Sequence, residues 1–196
     1  MFSDWINDDN IIQQPGRAPW PLSSGINAVS PILNLAEVEL APLPAPFAPT
    51  GAAAAHYAPQ LARLASRLGS DRLGANLIAL APGKRAFPFH SHRASDELFY
   101  VLSGCGELRY GTQTYPIRAG DFIACPAGGP ETAHQIHNSG ATELRYLAIG
   151  TNASPDIVEY PDVRQFRAHA GGPGETGFEI VASLDRTADY WALPEE

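Results

Sequence analysis

From residue 75 to about 149 the apolar residues come in short runs, at 76–80, 97–102, 106–110, 113–117, 121–125, 134–138 and 144–149. Gly, Pro, Asn or Ser separates one run from the next. Runs of that length and punctuation predict short strands folded into an all-β sandwich or barrel. Gly111-Thr112 falls between two of them, where a tight hairpin turn is needed. Residues 156–160 and 178–182 are expected to add strands, and 170–177 (Ala-Gly-Gly-Pro-Gly-Glu-Thr-Gly) reads as a flexible loop.

The chain before residue 75 has a different pattern. Residues 1–26 read as an irregular extension, broken by Pro15, Gly16, Pro19, Pro21 and Gly25, with Trp5 and Trp20 as large apolar groups that would dock on a partner or on the barrel. Residues 27–74 form an arm. It has a short strand-like alternation at Val38 and Leu40 and an extended linker through Pro42, Pro44, Pro46 and Pro49. The arm is also expected to hold a short helix over 59–68. Leu61, Leu64, Ala65 and Leu68 would share one helical face and Arg63 and Arg67 the other, with Pro59 in the first turn and Gly69 at the stop. The barrel proper is placed at 75–162, and 163–196 is a tail with one short strand, ending near Trp191.

Composition agrees with many turns and short strands. There are 18 glycines and 18 prolines, charged residues make up only 17%, and the 44% hydrophobic share suffices for one core. A formal net charge of -8, with no offsetting run of Lys or Arg, argues against a nucleic-acid partner. No stretch approaches the roughly 20 apolar residues of a membrane helix. The N-terminus, Met1-Phe2-Ser3-Asp4-Trp5, lacks the basic start and apolar run of a signal peptide. Cys105 and Cys125 read as two free buried thiols, so the expectation is a soluble cytoplasmic protein.

The chemistry concentrates at His90-Ser-His92-Arg-Ala-Ser-Asp-Glu97. Two histidines two residues apart on a strand present both imidazoles to one face. Glu97 opens the next run after a four-residue loop, where a strand pair can bring its carboxylate beside them. Two neutral imidazoles and a carboxylate suit a borderline divalent metal. His134, at the head of a distant run, is a fourth candidate that a small closed barrel would bring to the same point. His137 has the opposite parity and is expected to point away. His56 and His169 are placed in solvated loops, and Asp96 should face outward.

These residues resemble the two motifs of the cupin superfamily. Gly83, His90, His92, Glu97 and Gly104 match the first motif, with the gap from Gly83 to His90 one residue longer than usual. Gly120, Pro126, Gly128, His134 and Asn138 match the second, with five residues before His134 where two are usual. The resemblance covers about residues 75–150 and implies a double-stranded β-helix, the cupin jelly-roll barrel. A narrower resemblance, to single-barrel cupins of the cupin_2 type labelled sugar-phosphate-isomerase-like, rests on Gly83-Lys-Arg-Ala-Phe-Pro-Phe-His90 and Cys125-Pro-Ala-Gly-Gly-Pro-Glu-Thr-Ala-His134-Gln. It extends to Phe47-Ala-Pro-Thr-Gly51 and Glu159-Tyr-Pro-Asp162.

The resemblance implies one divalent transition metal per chain (Fe, Mn, Ni, Co or Zn) on His90, His92, Glu97 and His134. Such a site carries a net charge of +1 and keeps positions open for water or substrate. Phe99 and Val101 share the parity of Glu97 and are expected to line the barrel. Lys84 and Arg85 are candidates for a basic lip that attracts an anionic substrate, and Gln135 for the mouth. Leu98, Tyr100 and Leu102 then form an outer apolar face, to be covered by the arm or by a second subunit. Since cupins are commonly dimers, a homodimer is expected. The leading functional expectation is a metal-dependent enzyme of isomerase, oxygenase or lyase type acting on a small oxygen-rich metabolite (a sugar, sugar phosphate or keto acid). The alternatives are a non-catalytic binding or sensing cupin and an Fe(II) dioxygenase.

Overall fold

The computed structural model describes residues 30–171 and 177–186. The extension at 1–26 with Trp5 and Trp20, most of the loop at 170–177, and Trp191 lie outside the described residues.

Among the described residues, thirteen strands run in chain order: β1 (Ala41–Pro42), β2 (Gln60–Arg63), β3 (Leu73–Leu80), β4 (Ser91–His92), β5 (Glu97–Ser103), β6 (Cys105–Tyr110), β7 (Gln113–Arg118), β8 (Phe122–Cys125), β9 (His134–His137), β10 (Leu144–Thr151), β11 (Asp156–Tyr160), β12 (Gln165–Ala170) and β13 (Phe178–Ser183). They pair antiparallel in three sheets, ordered β1-β2-β3-β10-β5-β8, β13-β12-β11-β4 and β7-β6-β9. The six-stranded sheet forms one wall. The two smaller sheets meet at a backbone bridge between His90 and His134 and form the other.

Side-chain alternation explains how the walls pack. Ile78 and Leu80 of β3, Phe99 and Val101 of β5 and Tyr146 of β10 point inward. They meet Leu108, Ile117 and Ile136 from the opposite wall in one buried core. Leu77, Leu102 and Leu147 have the other parity and face outward, where Leu33, Leu35, Val38 and Leu40 of the arm pack over them. The arm is therefore part of the cover of the outer face. Tyr100 and Phe122, also on that side, remain exposed with their rings 6.2 Å apart.

Four local expectations are corrected. Residues 59–68 are not a helix: Gln60–Arg63 form β2, which pairs with β3, and only Ser66–Leu68 make a 3-10 turn. Leu61 enters the barrel core while Ala62 enters the outer one, so burial on both faces of a strand produced a spacing that imitates a helical stripe. Val38 follows a 3-10 turn at Leu35–Glu37 rather than lying on a strand, and the proline linker contains a turn closed by Phe47 N–H to the Pro44 carbonyl at 2.8 Å. Both cysteines are free, but Cys105 is exposed and only Cys125 is buried.

Candidate metal centre

Each candidate ligand is delivered by a different piece of backbone. His92 closes the two-residue strand β4, opposite Val158 of β11. Glu97 opens β5, between Gly150 of β10 and Cys125 of β8. His90 and His134 are locked together by two backbone hydrogen bonds, His134 N–H to His90 O at 2.7 Å and His90 N–H to His134 O at 3.2 Å. The longer second-motif gap before His134 is taken up by a 3-10 turn at Pro130–Thr132. Asn138 holds the far end of β9, its amide donating to the carbonyls of Leu80 and Thr142.

The four side chains converge. Glu97 Oε2 lies 2.8 Å from His134 Nε2 and 3.7 Å from both His90 Nε2 and His92 Nε2. All four residues are buried. Two atoms bound to one ion at about 2.1 Å sit about 3 to 3.4 Å apart, and the separations here fall just to either side of that range. His90, His92 and Glu97 each offer a ligand atom within 4.8 Å of the others and could hold a metal.

The Nδ1 atoms explain why Nε2 faces inward in each ring. His90 Nδ1 lies 2.7 Å from the Pro88 carbonyl, His92 Nδ1 lies 2.7 Å from Asp156 Oδ2, and His134 Nδ1 lies 3.3 Å from the Thr132 carbonyl. An imidazole that donates from Nδ1 leaves a lone pair on Nε2. His90 Nε2 is buried and has no hydrogen-bond partner in the protein. An orphaned acceptor of that kind is costly unless something electrophilic meets it, and a metal ion would.

The electrostatics also point to a cation. Burial works against the charge of Glu97, yet the neighbouring His92, His134 and His90 hold its carboxyl well below the usual carboxylate range. Burial lowers His90 and His92, so both imidazoles stay neutral. Burial would also lower His134, but its contacts with Cys125 and Glu97 push it up to about 10. In the metal-free cluster the carboxylate therefore takes its counter-charge from a proton on His134, and a divalent ion would displace that proton.

A narrow cleft adjoins the cluster, bounded by Ala86, Phe87, Phe99, Gln135, Ile136 and Tyr146 with His90 and His134 at its floor. It has room for about one water molecule. Of the expected pocket residues, Phe99 and Gln135 border this cleft, and Gln135 donates to the Phe87 carbonyl at 2.7 Å. Val101 lies deeper, fully buried in the core. Lys84 and Arg85 are not on its wall: the Lys84 ammonium donates to the Ala55 carbonyl at 2.7 Å, and Arg85 bridges Tyr57 and His137. Neither residue of the expected basic lip therefore borders this cleft. Asp96 faces outward as expected, its carboxylate accepting from Ala127 N–H. His137 also points away from the site, 3.7 Å from Glu107. His169 is not in a solvated loop: it lies on β12 opposite Asp156.

Two residues were missed at the sequence level. Tyr146 sits in the 144–149 run, where parity alone would have turned it inward. Asp156 carries no local sign of its role, since it reaches His92 across 64 residues of chain.

A small β-barrel enclosing a histidine–carboxylate cluster defines the class. The family model of the cupin domain matches residues 76–150. The structure resembles that of a proposed sugar phosphate isomerase from Acidithiobacillus ferrooxidans, with 30% identity, a TM-score of 0.58, and 70% of this chain and 82% of that chain covered. It also resembles a cupin-superfamily sugar phosphate isomerase from Silicibacter pomeroyi, with 26% identity, a TM-score of 0.58, and coverage of 65% and 77%. In sequence, the chain is 34% identical over 72 residues to an oxalate-binding protein of Thermotoga maritima, covering 37% of this chain and 56% of that protein. The chain spans about half the length of the curated relatives it matches. It belongs to the cupin superfamily, as a mono-cupin of the cupin_2 type. Among the described residues, no helix is long and apolar enough to cross a membrane.

Proposed function

We propose that this cupin is a metal-dependent enzyme acting on a small, oxygen-rich metabolite, with His134 joining His90, His92 and Glu97 as the fourth ligand. The observation that carries the reading is the convergence of three Nε2 atoms on one buried carboxylate oxygen, next to a cleft. A divalent ion on these residues would polarise a carbonyl or acidify a bound water.

The chain's own groups would do the rest. Phe87, Phe99 and Ile136 form apolar walls that exclude bulk water. The Tyr146 hydroxyl keeps its proton, because burial and the nearby Glu97 charge push it far above the usual phenol range, so it is available as a hydrogen-bond donor. Among the described residues, no lysine or arginine lines the cleft. Recognition would therefore fall on carbonyl, carboxylate or hydroxyl oxygens at the cluster, and a phosphate on the substrate would lie outside the cleft. The similar proteins described as a sugar phosphate isomerase and an oxalate-binding protein both name compounds rich in such oxygens.

Purified protein should carry close to one equivalent of transition metal per chain by elemental analysis, and His92→Ala should lose it. Wild-type protein that neither retains nor takes up Zn2+, Mn2+, Ni2+ or Fe2+ would sink the proposal. Oxygen uptake and sugar isomerisation assayed on each metal form then test for an enzyme. A ligand that raises the melting temperature without turnover would favour a binding module instead.

A further inference from the structure

We propose that Asp156 is a positioning residue that fixes the tautomer of His92, so that the cluster presents a bare Nε2 to a cation. The inference deepens the metal-centre reading and rests on it for its consequence, though not for the tautomer itself.

The two carboxylate oxygens of Asp156 have separate tasks. Oδ1 accepts the backbone N–H groups of Ala94 and Ile157, each at 2.8 Å. Oδ2 lies 2.7 Å from His92 Nδ1. Backbone N–H groups can only donate, so Oδ1 is committed as an acceptor. An ionised carboxylate has no proton to give, so Oδ2 must also accept, and His92 must donate from Nδ1. A neutral imidazole has one N–H. Its Nε2, 3.7 Å from Glu97 Oε2, then carries a lone pair instead of a proton.

His90 and His134 are oriented in the same sense, but by the backbone carbonyls of Pro88 and Thr132. His92 is oriented by a side chain, so its tautomer can be changed by mutation. Asp156 also lies beyond residues 76–150, the span matched by the cupin-domain model. The cluster thus depends on β11, a strand outside the matched segment, whose Val158 and Glu159 pair with β4.

Asp156→Asn tests this, because the substitution is isosteric. The two backbone donors will hold the amide oxygen at the Oδ1 position. The amide NH2 will then face His92 Nδ1, which can accept only if the imidazole proton moves to Nε2. In metal-free wild-type protein, long-range 1H–15N NMR should show His92 protonated at Nδ1 and bare at Nε2. In Asp156→Asn the two nitrogens should exchange roles while the backbone amide spectrum stays that of a folded protein. Titration with Zn2+ or Co2+ should give an affinity about 10- to 100-fold weaker than wild type, the usual effect of losing such a partner.

Should Asp156→Asn fail to fold, the wild-type spectrum alone decides the tautomer, and a His92 protonated at Nε2 overturns the proposal. So does an Asp156→Asn protein that binds Co2+ within about threefold of wild type. Wild-type protein that shows the Nδ1–H tautomer but binds neither ion would instead overturn the metal-centre reading.

Discussion

His90→Leu separates what the cluster contributes to function from what it contributes to the fold. In the metal-free protein His90 is a liability: it is buried, neutral, and its Nε2 has no hydrogen-bond partner in the protein. Leaving such an atom unsatisfied costs about 1–3 kcal/mol, and leucine, of similar volume, removes that penalty. What is lost is the bond from Nδ1 to the Pro88 carbonyl, about 1 kcal/mol net, and Pro88 is only half-buried, so its oxygen can turn to water. The backbone bridge to His134 does not involve the side chain. The variant should therefore be between equally stable and about 2 kcal/mol more stable than wild type in the presence of a chelator. With metal at about 100 times its dissociation constant, wild type should gain about 2.7 kcal/mol. For a chain of this length that is roughly 5–11 °C in melting temperature. The variant should gain almost none of it, so the order of stability reverses between chelator and metal. Differential scanning calorimetry under the two conditions reads both effects. A variant more than about 2 kcal/mol less stable than wild type in chelator, or one that keeps the metal-induced rise, would refute the reasoning.

Further outcomes follow from other parts of the barrel. Burial and the charge of Arg167, partly offset by Asp156 and Glu179, bring His169 down to about 4. The unfolded imidazole takes up its proton near 6.5 while the folded one stays neutral, so its stabilising contribution is complete above pH 6.5 and lost as pH falls toward 4. Urea midpoints measured between pH 7.5 and 4.5 should thus fall less steeply in His169→Gln than in wild type, although His90 and His92 will keep some of the slope. Gly104 has φ of 81°, and a Cβ there would run into the Glu143 carbonyl. Gly104→Ala should cost on the order of 3 kcal/mol by chemical denaturation, more than strain in a left-handed turn alone. Leu77→Ala opens the outer core under the arm, and should cost about 2–5 kcal/mol and hasten proteolysis within residues 30–60.

The contrast between what the chain reveals and what it hides follows from the range of each interaction. β3 and β5 through β11, apart from details of their ends, are legible because Gly, Pro and Asn punctuate runs whose alternation faces one core. β4 has two residues, and β12 reads Gln-Phe-Arg-Ala-His-Ala, so neither carries an apolar pattern. β2 was hidden by burial on both its faces. The same distinction runs through the site. His90, His92 and Glu97 are visible because eight residues of chain contain them and strand parity aims two of them together. His134 is visible because it heads a distant run and also sits in a motif.

Asp156 was not visible at all, since nothing near it in the chain marks one aspartate as the partner of an imidazole on another strand. That partnership is made by the register of β11 against β4, and register is a property of the assembled sheet. A slip of one residue in that pairing would turn the carboxylate to the opposite face and leave the His92 tautomer unspecified. On the proposed role of Asp156, the sheet that carries β11 therefore does more than cover the core: the tautomer of a candidate ligand depends on its alignment.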